Sequence, residues 1–199
     1  MSVEFRKGTL SLLQNSSDRH VAESIEIRQL SDAKSIELSQ VLRYEVWSGV
    51  GADLHLEQSG KIADSLDETA FHWGAYSNGR LVASARLSIH EVLENAPDGH
   101  LFEKLSVPCP VADINRMVVR PEYRRIGIAR AIDGLRIQKA RESGCRTIIA
   151  GPVKEIATIA RLRSYGFIFI EVDGIAKWGD VPITGAYLDL EVGSPRANS

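Results

Sequence analysis

The segment from Val111 to Glu142 constrains this chain more than any other. A β-branched run, Val111 to Val119, halts at Pro121 and passes through Arg124-Arg125-Ile126-Gly127-Ile128-Ala129. It then enters a helical stretch, Ala131 to Glu142, with no breaker in between. A loop that opens directly into a helix leaves the first backbone N–H groups unpartnered at the positive end of the helix dipole. Such a turn holds anions, phosphates above all. Gly127 lets the backbone approach them closely because no Cβ intervenes. Arg124 and Arg125 add positive charge at the rim.

The flanking sequence sets this unit among other elements. Ser24 to Leu30 alternates as a strand does. Ser31 or Asp32 then caps a helix whose apolar stripe is Ile36, Leu38, Val41, Leu42 and Val46. Residues 48–69 are irregular and turn acidic toward their end. Ala70 to Tyr76 and Leu81 to Glu91 flank an Asn78-Gly79 turn, a hairpin signal. A loop over 94–110 precedes the strand–loop–helix segment. After it come a strand from Cys145 to Ala150, a helix from Lys154 to Ser164, and strands from Phe167 to Val172 and Gly185 to Val192. The order predicts one α/β (α+β) domain over residues 23–192, with a loose arm over 1–22 and a flexible tail over 193–199.

Val119-x-Pro121 followed by Arg124-x-x-Gly127-x-Ala129, within this order of elements, resembles the acyl-CoA pyrophosphate loop of the GNAT acetyltransferase superfamily. The resemblance implies a mixed, mostly antiparallel central sheet with a splayed strand pair and helices on both faces. It implies that main-chain groups of Met117, Val118 and Val119 pair with the pantetheine arm of acetyl-CoA or another acyl-CoA. It further implies that Arg124, Arg125, Ile126, Gly127, Ile128, Ala129 and Arg130 hold the pyrophosphate. A primary amine would attack the thioester directly in a ternary complex, since no residue stands in a motif for a covalent intermediate. That chemistry requires a route for the amine proton and a donor for the developing oxyanion, commonly an N–H of the same strand. The chain departs from the commonest pattern. The helix tyrosine that protonates the departing thiolate aligns with Leu162, no Asn lies between 151 and 165, and Tyr165 falls on another face.

A second resemblance runs through Arg43, Trp47, Asp64-x-x-Asp67, Arg86 and Asp113-x-x-Arg116. This order looks like the acyl-homoserine-lactone synthases and N-acyl amino acid synthases, a branch of the same fold that often draws on acyl carrier protein. The resemblance places these acids and arginines around a charged acceptor, where carboxylates hold an ammonium and arginines grip a carboxylate. The clear Arg-x-x-Gly-x-Ala loop favours CoA as donor. On a regular strand Asp113 and Asn115 share a face with Met117 and Val119, and Arg116 points the other way unless a bulge intervenes. The catalytic candidates are Asp113, Arg116 and Glu45, with His72, His90 and Glu91 below them. A binding module that keeps the CoA cradle without turnover is the alternative of another class.

Composition agrees with a soluble globular protein. The 199 residues are 44% hydrophobic and 25% charged, enough for a full core. A net charge of -2 gives no footing for nucleic acid as a partner. Cys109 and Cys145 stand far apart in no metal-binding pattern; Cys145 reads as a core residue, and no metal is expected. No signal peptide or membrane span is evident, so a cytoplasmic location is expected. The resemblance leaves a homodimer open.

Overall fold

The computed structural model describes residues 2–6, 9–13, 24–48, 59–171, 177–178 and 181–191. Residues 14–22 of the expected arm, 49–58 of the irregular stretch and the tail over 193–199 lie outside the described residues. The elements run β1 (Ser2–Arg6), β2 (Thr9–Leu13), β3 (Ser24–Leu30), α1 (Ala33–Ser48), β4 (Phe71–Ser77), β5 (Arg80–His90) and β6 (Val111–Val119). They continue with α2 (Ile128–Glu142), β7 (Thr147–Ala150), α3 (Ile156–Arg163), β8 (Ile168–Ile170), β9 (Lys177–Trp178), β10 (Val181–Pro182) and β11 (Gly185–Asp189).

The chain divides into two compact units, Met1–Arg86 with Arg116–Asp133, and Leu87–Asn115 with Gly134–Ser199. In the first the strand order is β1-β2-β3-β4-β5-β6, and in the second β5-β6-β7-β11-β8. The pairs β1/β2, β2/β3, β3/β4, β7/β11 and β8/β11 are antiparallel, and β6/β7 is parallel. The sheet is therefore mixed and mostly antiparallel, as the sequence predicts. The β6/β7 ladder joins Val111–Asp113 to Thr147–Ile149 and stops there, although β6 continues to Val119. This is the splayed pair.

Within the stretch expected to be an aperiodic arm, residues 2–6 and 9–13 are strands. β1 and β2 pair with each other, and β2 extends the sheet beyond β3. Strands of this length carry too little alternation to register alone; the edge of β3 supplies the hydrogen bonds that make them strands.

In the first unit, Asp32 caps α1: its Oδ1 accepts from the Ser35 N–H at 2.9 Å, and its Oδ2 accepts from the Ser35 hydroxyl. The buried face of α1 is Ser35, Ser39, Leu42, Arg43 and Val46. Leu38, expected in the apolar stripe, is instead 45% exposed. Counting only apolar residues misplaces the stripe because two serines and an arginine occupy the inward positions. Leu42 and Val46 pack with Leu30, Tyr76, Leu81 and Val118, against which Ile36 and Trp47 lean. In the second unit the loop over 94–110 is not featureless. Its turn at Gly99–Phe102 drives Leu101 and Phe102 into a cluster with Ala96, Val111, Ile149 and Ile183. Cys145 is buried, as expected; burial, with Glu91 nearby, pushes its thiol up to about 11.

Candidate functional site

The loop between β6 and α2 lies in the first unit. The Arg120 N–H donates to the Val82 carbonyl at 2.9 Å, after which a single turn, Pro121–Tyr123, reverses the chain. Arg124 donates from Nε to the Val119 carbonyl at 3.1 Å, closing the turn on the end of β6. Arg125 (φ +65°) and Gly127 (φ +93°) are both left-handed. The left-handed region costs a non-glycine residue about 1 kcal/mol, so Arg125 marks a place where backbone direction is imposed. A Cβ on Gly127 would meet no heavy atom within 4 Å, so the space above it is open. The first α-helical closure here is Ala131 N–H to Gly127 O at 3.0 Å, so the N–H groups of Ile128 and Ala129 precede the helical ladder. Arg124, Arg125 and Arg130 are exposed around this opening. The arrangement fits a diphosphate.

A buried ion network occupies the same unit. Asp64-x-x-Asp67 is a capping box on the turn Ser65–Glu68. Asp64 accepts from the Leu66 N–H at 3.0 Å, and Asp67 accepts from the Asp64 N–H at 3.3 Å. The spacing of three thus sets both carboxylates at one end of the turn with oxygens to spare. Asp67, 3% exposed, receives Arg43 Nη1 on both oxygens at 2.9 Å, Arg86 Nη1 at 2.9 Å and Gln40 Nε2 at 3.1 Å. Asp64 takes Arg86 Nη1 on Oδ1 and Arg116 Nη2 on Oδ2, the latter at 2.7 Å. Arg43, Asp67, Arg86, Asp64 and Arg116 therefore form one connected chain of alternating charge.

Charge and burial compete along it. Burial alone would raise the Asp64 pKa, but hydrogen bonds and charge from Arg86 and Arg116 outweigh it and hold the carboxyl at about 2. Asp67 is likewise lowered, against burial, by Arg43 and Arg86. Burial lowers Arg43 to about 10 despite its carboxylate partner. His72 closes the inner end. Arg43 Nη2 can only donate, so the Nδ1 that it meets at 3.4 Å accepts, and Nε2–H donates to the Asp67 carbonyl at 3.1 Å. Burial, then the Arg43 charge, lowers the His72 pKa and keeps the ring neutral.

Arg116 reaches this network from a point where β6 departs from regular strand geometry. Its φ of +55° in mid-strand is left-handed, where a regular strand residue is extended. Arg116 lies 5.7 Å over the Trp47 ring, while Val118 packs with Leu42 and Val46. Both are thus turned toward α1. Arg43, Trp47, Asp64, Asp67, Arg86 and Arg116 are brought together. Glu45 is exposed and paired with Arg120 Nη2. Met117 and Val119 are half-buried and Val118 is buried.

Asp113 lies in the second unit and is fully buried. Its Oδ2 accepts from the Asp98 N–H at 2.9 Å, and its Oδ1 from Asn115 Nδ2 at 3.1 Å. Tyr165 packs its hydroxyl toward α2, 3.2 Å from where a Cβ on Gly134 would stand. His90 shares a hydrogen bond with Ser88 at 2.9 Å. Sequence reasoning missed Gln40, Arg120, Arg136 and Asp98. Asp98 Oδ2 accepts from the Gly151 N–H at 2.6 Å, and no local pattern marks such a partner.

The family model of the acetyltransferase (GNAT) family matches residues 35–167, and the chain belongs to that family. Among solved structures, the chain is similar to a CoA-dependent acyl-homoserine lactone synthase, BjaI. The two share 17% identity, with 82% of each chain covered and a TM-score of 0.65. It is similar to FeeM, an N-acyl amino acid synthase from uncultured soil microbes, at 12% identity, covering 85% of this chain and 92% of that one, with a TM-score of 0.64. An acetyltransferase from Streptococcus agalactiae shares 17% identity over 83% of this chain and 98% of its own, with a TM-score of 0.55. At these identities the likeness establishes the fold. No curated protein matches the sequence. Among the described residues no cluster of His, Cys, Asp or Glu could hold a metal, and no helix is long and apolar enough to cross a membrane.

Proposed function

We propose that this protein is an N-acyltransferase that takes an acyl group from a CoA thioester and delivers it to the amine of a small charged acceptor. The observation that carries this reading is the turn at Gly127, left-handed, open above, and ringed by Arg124, Arg125 and Arg130 at the start of α2. Those N–H groups would hold the pyrophosphate, and the backbone from Met117 to Val119, past the end of the β6/β7 ladder, would take the pantetheine arm. We place both units within one catalytic domain, residues 23–192, acting in the cytoplasm.

The network suits the acceptor. Its two partly exposed members are Arg116 and Asp64, whose side chains are 25% and 30% exposed. One cation and one anion at the surface match a zwitterion, with carboxylate toward Arg116 and ammonium toward Asp64. Asp64 at about 2 is too weak a base to take a proton from an amine. Its work is to hold the acceptor and to aim Arg116. Asp113 has each oxygen engaged and no exposure, so we give it the support of the loop at Asp98. Glu45 fixes Arg120 beside the phosphate loop.

Acetyl is our first choice of acyl group. A longer acyl chain, from CoA or from acyl carrier protein, onto an amino acid or lactone amine is the second. It is favoured by one observation: Arg43, Asp64, Asp67, Arg86 and Arg116 form a continuous set. Calorimetry with CoA, then thiol release from acetyl-CoA and from decanoyl-carrier protein over a panel of amino acids and amines, separates the readings. Absence of CoA binding refutes the proposal. Binding without thiol release from either donor leaves a module that keeps the cradle and no catalysis.

A further inference from the structure

We infer that Arg136, on α2, is a positioning residue for the transfer, because its guanidinium holds the peptide group that leads into the left-handed Arg116 and so aims that side chain. The inference rests on the acyltransferase reading for its consequence, although the geometry stands apart from it.

Arg136 is 2% exposed in the middle of a helix, where an apolar side chain would be cheaper to bury. Its Nη1 donates to the Asn115 carbonyl at 3.2 Å. That carbonyl belongs to the same peptide group as the Arg116 N–H. The next residue, Arg116, is left-handed at φ +55°, a conformation that persists in a non-glycine residue only when its surroundings enforce it. Fixing the carbonyl fixes the peptide plane, and the plane sets the direction in which Arg116 leaves the strand. From there Arg116 reaches Asp64 Oδ2 at 2.7 Å and lies over Trp47.

A second effect follows from the same contact. A cation on the carbonyl oxygen draws electron density through the peptide group and makes its N–H a stronger donor. On the proposed reading, that N–H belongs to the strand expected to stabilise the oxyanion. With an apolar residue at 136, the Asn115 carbonyl is no longer held, the left-handed backbone at Arg116 is no longer enforced, and the side chain loses its fixed aim at Asp64 and Trp47.

The protein has three tryptophans, so incorporation of 5-fluorotryptophan gives three fluorine resonances, with Trp47 assigned by Trp47→Phe. Arg136→Met is expected to move the Trp47 resonance to the position that Arg116→Met produces and to leave the Trp73 resonance in place. Arg136→Lys is expected to restore most of the shift. If Arg136→Met does not fold, Arg136→Gln, neutral but still a donor, is compared with Arg136→Lys in the same way. A Trp47 resonance unmoved in the folded neutral variant overturns the inference. In turnover, Arg136→Met should lower kcat at least tenfold with KM for acetyl-CoA within twofold, and a proportional rise in KM for acetyl-CoA also overturns it. Wild-type protein that fails to bind CoA defeats the acyltransferase reading instead and leaves the fluorine result on Arg136 intact.

Discussion

Replacing Asp67 by Asn tests the network at its most heavily loaded point. The carboxylate is 3% exposed and faces Arg43 and Arg86, whose exposures are 0% and 1%. It receives two contacts from Arg43 Nη1 and one from Arg86 Nη1, all at 2.9 Å. Asn keeps the shape but removes the charge and turns one acceptor into an amide that points N–H donors at guanidinium N–H donors. Arg43 then loses the carboxylate it is paired with, while Arg86 keeps Asp64, which it shares with Arg116. Removing one partner of a buried pair costs about 3–5 kcal/mol. Against a total stability of roughly 5–15 kcal/mol, that is a large fraction. With a urea slope of about 2 kcal/mol per M, the midpoint should fall by roughly 1.5–2.5 M at neutral pH. Arg43→Met should cost markedly less in the Asp67→Asn background than in the wild type, because the stranded charge has gone. A loss below about 1 kcal/mol for Asp67→Asn, or simple additivity of the two changes, refutes the argument that Asp67 neutralises both arginines.

Other outcomes follow from the same geometry. Asp64 has a folded pKa of about 2 against an ordinary 3.8, so its contribution to stability is present above pH 4 and lost as pH falls toward 2. Asp64→Asn should accordingly flatten that part of an acid-unfolding curve while His72, whose pKa is lowered, goes on contributing a loss below its ordinary value of 6.5. Gly127→Asp puts a side chain and a negative charge where the turn is open, and should weaken CoA at least tenfold by calorimetry with urea stability reduced by about 1–2 kcal/mol. Unchanged affinity removes the phosphate from this turn. Arg116→Lys keeps the charge but loses the planar fork and its stacking on Trp47, and should raise KM for a carboxylate-bearing acceptor about tenfold without altering KM for the acyl-CoA. An equal rise in both constants contradicts an acceptor role.

The open turn proposed to hold phosphate was legible as a turn because its requirements are local: a glycine, a basic rim and an uninterrupted run into α2. The Asp64-x-x-Asp67 spacing was visible as well, and its physical reason is the capping box. That Asp67 meets Arg43, 24 residues away, is not a local property; it came from resemblance, and the helical stripe even pointed elsewhere, at Leu38. The left-handed backbone at Arg116 was not open to sequence reasoning, which raised a bulge in this strand only as a condition, since no residue type announces a left-handed arginine. The surroundings of Asp113 were not legible. A carboxylate three residues before Arg116 invites a catalytic role, and its hydrogen bonds to Asp98 and Asn115 depend on the path of a loop that has no readable period. The hairpin of β1 and β2 escaped notice for the same reason, since its pairing partner is β3 and not its own sequence.

Where β6 and β7 part company, one loop residue fastens both. Asp98 donates its amide to Asp113, in the last β6/β7 pair, and accepts from Gly151, just beyond β7. A methyl group on Gly151 would stand 2.8 Å from the Asp98 carboxylate, so even alanine would pry this clasp open. The end of the β6/β7 ladder is therefore held from outside the strands, by the loop that carries Asp98.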